Sequence, residues 1–114
     1  MENNNDLAVI NWELAIKLAG NKKELAEEIL ALLIKDLPEN ISTFKRLNSE
    51  QNYSELLKQV HKLHGALCYT GLERIKLVIA KLETDIKNNI MVNSSSLLKQ
   101  LDTEVKLLFE SIPS

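Results

Sequence analysis

Apolar residues recur along this chain at spacings of three and four, the pattern of helices that each bury one face. Asn11 can cap a first short helix through Leu18 and Ala19, with Trp12, Ala15 and Leu18 available for burial and Gly20 as its stop. Asn21 with Glu24 reads as a capping box for the next helix. Its stripe is Ala26, Leu30, Leu33, Leu37, Ile41 and Phe44, which runs across Pro38. Proline removes an amide donor and crowds the preceding turn, so the pattern allows one long helix kinked at Pro38 or two helices meeting there.

Asn52 with Glu55 repeats the capping pattern after a polar connection and opens a third helix, with Leu56, Val60, Leu63 and Leu67 as its stripe and Gly71 as its stop. Leu72, Ile75, Ile79, Leu82 and Ile86 form the next stripe, which Asn88 and Asn89 end. Caps offered by Asn93, Ser94, Ser95 and Ser96 precede the last stripe of Leu98, Leu101, Val105, Leu108 and Ile112. No segment alternates with period two, so no strand is expected. The pattern predicts an all-α fold: an antiparallel four-helix bundle with an additional short N-terminal helix at one end. The sustained spacing favours near-parallel crossing of the helices. Residues 11–112 would form the domain, and the asparagine-rich residues 1–10 a tail or linker.

Composition agrees with this and excludes several classes. At 114 residues the chain is one domain with a sufficient core, and three glycines and two prolines are too few for a turn-rich sandwich or barrel. A net charge of −2 argues against a dedicated nucleic-acid binder. The single cysteine, Cys68, cannot form an internal disulfide, which favours a reducing compartment. The start lacks the basic and apolar regions of a signal peptide. The apolar run at residues 29–34 is far short of the ~20 residues that span a bilayer. The sequons at Asn40, Asn52 and Asn93 are therefore read as chance matches. A soluble, cytoplasmic chain is expected, free-standing or a cytoplasmic piece of something larger.

The two histidines, His61 and His64, share the third helix with Gly65 and Cys68. At about 100° per residue from Leu56, the stripe falls within about 40° of zero, His64 at about 80°, Cys68 at about 120°, His61 at about 140° and Gly65 at about 180°. His61 is therefore expected on the solvent flank and His64 half-buried. Gly65 lies one turn on from His61, where a missing side chain leaves the ring open to approach. A glycine inside a helix costs about 1 kcal/mol relative to alanine.

Three readings compete for these residues. Both rings could be ordinary surface and boundary side chains. His61, His64 and Cys68, spaced i, i+3 and i+7, could contribute to a zinc site, although no second His or Cys cluster completes one. Alternatively His61 could be a covalent carrier, since a neutral imidazole is nucleophilic at physiological pH. Cys68 lacks a separate base partner and is expected to be a buried structural thiol. Trp12 is expected to anchor the first helix onto the bundle.

The run His61-Lys62-Leu63-His64-Gly65, continuing through Tyr69-Thr70-Gly71 into Leu72, resembles the histidine-containing phosphotransfer (HPt) domain, whose motif has the form His-x-Leu-Lys-Gly. Asn11-Trp12-Glu13-Leu14-Ala15 and residues 25–39 are similar to the opening helices of the version at the C-terminal end of BarA/GacS-type hybrid sensor kinases. The resemblance covers about residues 10–112.

The resemblance implies that His61 is the phosphoacceptor and that Gly65 lets a partner approach it. His64 stands where many members have lysine, and a BarA-like subset has histidine. Ala66 and Leu67 depart from the small polar residues frequent after the glycine, which concerns local packing. The implied function is that of a phosphorelay intermediate between receiver domains of a hybrid kinase and a response regulator. No stable cofactor is implied, Mg²⁺ and the aspartate belonging to the receiver. Nothing resembles an ATP-binding loop, so the chain would be a carrier and not an enzyme in itself. Its setting would be the cytoplasm, with no nucleic acid or direct membrane contact, on its own or as the cytoplasmic C-terminal domain of an inner-membrane sensor kinase. Lys58 and Lys62, at about 200° and 240° on the wheel, could support docking or steady the phosphoryl group. The rival reading is a helical protein–protein interaction module without covalent chemistry.

Overall fold

A computed structural model describes residues 7–112; the first six residues of the N-terminal tail lie outside the described residues. Five helices follow one another: α1 (Trp12–Leu18), α2 (Lys23–Ser49), α3 (Tyr53–Leu67), α4 (Glu73–Lys87) and α5 (Ser94–Ser111). No strand occurs among the described residues. Helices α2 to α5 close into a ring in which α2 packs on α3, α3 on α4, α4 on α5 and α5 back on α2. Short turns make successive members antiparallel. The core is aliphatic around one phenylalanine, Phe44, with Leu56, Val60, Ile79, Leu82 and Leu101 wholly buried.

Helix α2 is continuous through Pro38 over 27 residues. Leu30, Leu37, Ile41, Phe44 and Leu47 lie buried on both sides of the proline, so the same core holds both halves in line. Pro38 itself is exposed, where the carbonyl four residues earlier can be hydrated. Asn11 and Asn52 cap as expected, accepting from the Leu14 amide at 3.0 Å and the Glu55 amide at 3.4 Å.

Asn21 does not cap α2. It adopts φ 66° and donates its amide to the Ile16 carbonyl at 2.9 Å, closing α1, while Lys22 stands at the α2 N-cap without a side-chain hydrogen bond. The turn is too short for Asn21 to end one helix and begin the next, and the left-handed closure wins. Helix α3 likewise ends at Leu67, before Gly71; Thr70 bonds back to the Leu67 carbonyl at 2.8 Å.

Small residues seat α1. Ala15 and Ala19 pack with Ala26 of α2, and the Asn11 amide reaches the Gly71 carbonyl at 3.0 Å. Trp12, expected to anchor this helix, is 42% exposed. An alanine interface brings the backbones too close to admit an indole. Gly71 shows the same crowding: it has φ +74°, and a Cβ there would lie 2.5 Å from the Asn11 carbonyl oxygen.

Gly71→Ala should therefore lose more stability than Gly20→Ala. Both positions have positive φ, worth about 1–2 kcal/mol of strain, but only Gly71 lacks space for a side chain. Urea denaturation of the two variants checks this; equal losses would show that the approach of α1 to Gly71 is not limiting.

Candidate functional site

The chemistry-bearing side chains gather where α3 packs on α4. Leu56, Val60, Leu63 and Leu67 turn inward and fix the rotation of α3. That rotation leaves His61 with a side chain 72% exposed and His64 with one 28% exposed, as the wheel predicts. Gly65 is exposed, and a Cβ added there would meet nothing within 4 Å. The helix surface beside His61 is a notch.

Lys58 and Lys62 are both exposed, and neither pairs with a carboxylate among the described residues. Lys62 borders a cleft of about 200 Å³ with Leu33, Asp36 and Asn40 of α2 and Gln59 and Ala66 of α3. Positions on the second helix thus adjoin the face that carries His61.

The decisive residue was missed by reasoning from periodicity and motif. Glu83, on α4, is 5% exposed, and its carboxylate bonds both rings: Oε2 meets Nδ1 of His61, and Oε1 meets Nδ1 of His64 at 2.6 Å. Lys87, one turn on, brings Nζ to 3.5 Å. A signal existed. With Ile79 at zero, Leu72 falls at about 20° and Glu83 at about 40°, which places a charge at the edge of the apolar arc of α4. Such a charge needs partners across the helix interface.

Burial pushes the Glu83 carboxyl up, but hydrogen bonds from His61 and His64, then the charges of Lys87 and His61, outweigh it and hold the group below its ordinary value of 4.5. An ionised carboxylate only accepts hydrogen bonds, so each ring donates from Nδ1. In a neutral imidazole Nε2 then keeps its lone pair, and the ring of His61 is the more exposed of the two.

Cys68 is exposed, contrary to the expectation of a buried thiol. It stands at the α3 C-cap, beyond the buried arc, and its Sγ bonds the His64 carbonyl at 3.4 Å. The preference of thiols for burial yields here to the geometry of the helix end. His61, His64 and Cys68 do not assemble into a ligand set, and no other group of three metal-ligating side chains does among the described residues. A second buried pair, Arg74 with Glu104 at 2.8 Å, ties α4 to α5 away from the histidines.

The family model of the Hpt domain matches residues 28–111. The chain belongs to the Hpt domain family. It is 30% identical over 104 residues to the signal transduction histidine-protein kinase BarA of Shigella flexneri, covering 91% of this chain and 10% of BarA. It is also 30% identical over 81 residues to the sensor protein GacS of Pseudomonas syringae pv. syringae, covering 71% of this chain and 9% of GacS. The chain thus spans about a tenth of the length of these curated relatives. The HPT domain crystal structure from the Hpt sensor hybrid histidine kinase of Shewanella superposes with a TM-score of 0.69 at 24% identity, covering 93% of this chain and 97% of that one. That match shows the same fold. Homology to the phosphorelay domains of hybrid kinases implies phosphotransfer, and Hpt domains are phosphocarriers without an ATP-binding catalyst. No described helix of this Hpt domain is long and apolar enough to cross a membrane.

The lowered ionisation of Glu83 has a consequence for stability. The ionised group stabilises the fold fully above pH 4.5, and this contribution is lost as pH falls through its lower folded value. Glu83→Gln should therefore be less stable than wild type at pH 7, and the gap should close in strong acid. Urea denaturation at both pH values measures it; an undiminished gap in acid would mean that the loss is one of packing and not of charge.

Proposed function

We propose that His61 is the phosphoacceptor of this Hpt domain and that the chain relays a phosphoryl group from one receiver-domain aspartate to another. The observation that supports this most directly is the setting of the His61 ring: exposed, mounted on a helix anchored in the core, and bonded at Nδ1 to Glu83, which leaves Nε2 of the neutral ring as its nucleophile. In the accepting step Nε2 attacks the phosphorus of a receiver aspartyl phosphate, and the aspartate leaves as a carboxylate. The receiver supplies Mg²⁺ and charge neutralisation. The carrier needs no cofactor of its own, since its phosphoramidate is already activated for transfer.

The docking surface we propose is the exposed face of α3 around His61 and Gly65, extended by the α2 positions beside the cleft at Lys62. The open notch at Gly65 admits a partner close to the ring. Lys58 and Lys62 complement the acidic pocket of a receiver, and His64 supports the site from the boundary. The likeness to hybrid sensor kinases supports a cytoplasmic setting opposite the receivers of such a kinase and of a response regulator.

Transfer of label from radiolabelled, phosphorylated receiver domains is the test. Wild type and His64→Gln should acquire an acid-labile, base-stable adduct, and His61→Gln should not. Absence of label on wild type across a panel of receivers, with the fold intact, would favour a non-covalent interaction module. Lys58→Glu with Lys62→Glu should slow transfer at low salt by about three- to tenfold, with the difference shrinking as salt rises. A rate unchanged at low salt would remove both lysines from the docking face.

A further inference from the structure

We infer that this domain pairs with a second copy of itself through the groove between α1 and the N-terminal half of α2, on the side of α2 turned away from His61. The two copies meet about a two-fold axis with their α2 helices antiparallel, so that Lys23 of each faces Glu27 of the other.

The groove exists because α2 outruns α5. On a wheel of about 100° per residue from Leu37, Lys45 and Asn48 fall at about 80° and 20°. They meet Asp102 and Ser95 of α5, and so mark the arc of α2 on which α5 is seated. Leu30, Ile34 and Ala31 fall at about 20°, 60° and 120°, in or beside the same arc. At their level α5 is at its end, with Ser111 beside them, while α2 runs on to Lys23. The seat of α5 therefore continues past that helix as a groove of about 820 Å³, walled on its far side by Ile10, Trp12 and Ile16. Its floor is in contact with water, since Ala31 is exposed and Ile34 half-buried. A contiguous apolar surface of this kind marks an interaction site.

Shape and charge together select the occupant. Residues 23–34 span about 17 Å, roughly three helical turns, so the slot is the size of a helix segment. Lys23 and Glu27 line it one turn apart, both exposed, and neither is ion-paired among the described residues. A surface that binds its own copy about a two-fold axis must be self-complementary, each contact being returned by the same pair of residues. Opposite charges four residues apart on one face meet that condition when two α2 helices run antiparallel. The axis then passes at the level of Leu25 and exchanges positions 23 and 27, which makes two ion pairs over a covered apolar floor. Leu33, Asp36 and Asn40, the α2 positions beside the cleft at Lys62, lie on the other side of the helix at about 320°, 260° and 300°. The His61 face of both copies therefore stays open to a receiver.

Sedimentation equilibrium of the whole chain from about 10 µM to about 1 mM tests this, a range that covers the affinities of small interfaces. Wild type should pass from monomer to dimer, and the emission of Trp12, the single tryptophan, should shift to the blue over the same range. Glu27→Lys and Lys23→Glu each set like charges against one another twice, and each should weaken self-association by about tenfold at low salt. The two variants mixed should bind each other more tightly than either binds itself, because every pair across the axis is then opposite in sign. Both changes in one chain should restore the wild-type affinity. A wild type that stays monomeric to the top of the range would overturn the inference, as would a dimer whose affinity neither variant changes and mixing does not raise. Monomeric protein that takes anilinonaphthalene sulfonate into the groove, read by energy transfer from Trp12, would also overturn it and make the groove a site for small apolar anions.

Discussion

A carboxylate removed from water must be met by donors or surrender its charge. Glu83 sits in the α3–α4 interface under that constraint, and the rest of the site is arranged to satisfy it. Two imidazoles and one ammonium converge on its two oxygens. Removing partners would leave that charge in a medium that solvates it poorly, a loss that water moderates because His61 and Lys87 reach in from the surface. The bonds that orient the rings therefore also hold α3 against α4, and the Arg74–Glu104 pair applies the same logic between α4 and α5.

In the proposed relay the ring of His61 must meet two opposed demands. It has to be accessible, which for an ordinary surface side chain means rotational freedom. It also has to be held in one tautomer and one direction if a reacting phosphorus is to find it, and preorganisation of this kind is a large part of what a reactive group gains from a protein. The structure separates the demands: Nδ1 meets a buried acceptor, while the side chain as a whole stays largely exposed. Below the ring, Leu56, Val60 and Leu63 are at most 4% exposed, so the helix itself has nowhere to turn.

Periodicity alone was enough to read the helical stripes, the inward faces and the different exposures of His61 and His64, because all of these follow from one rotation per residue, but it left open whether α2 runs unbroken through Pro38. The caps at Asn11 and Asn52 were legible for the same local reason. What failed was competition and pairing. Asn21 had two local roles open to it, and the turn at the end of α1 took precedence. Trp12 was assigned by its size, whereas the approach of α1 is governed by the smallness of Ala15, Ala19 and Gly71. Cys68 was assigned by the habits of its side chain and not by its angle on the helix. Glu83 could be noticed as a charge at the edge of an apolar arc, but the two rings it meets lie about twenty residues away on another helix, a relation no single-helix pattern encodes.

The turn after α3 and the corner at Gly71 join two helices that between them contain His61, His64, Gly65, Glu83 and Lys87. The entire chemical apparatus thus belongs to one helical hairpin, residues 53–87. Helices α1, α2 and α5 support that hairpin by burying its apolar faces, a requirement that many different sequences can meet. Substitutions in those three helices can accordingly alter stability and partner preference while the proposed acceptor and the side chains that bond it keep their places on one short contiguous stretch of chain.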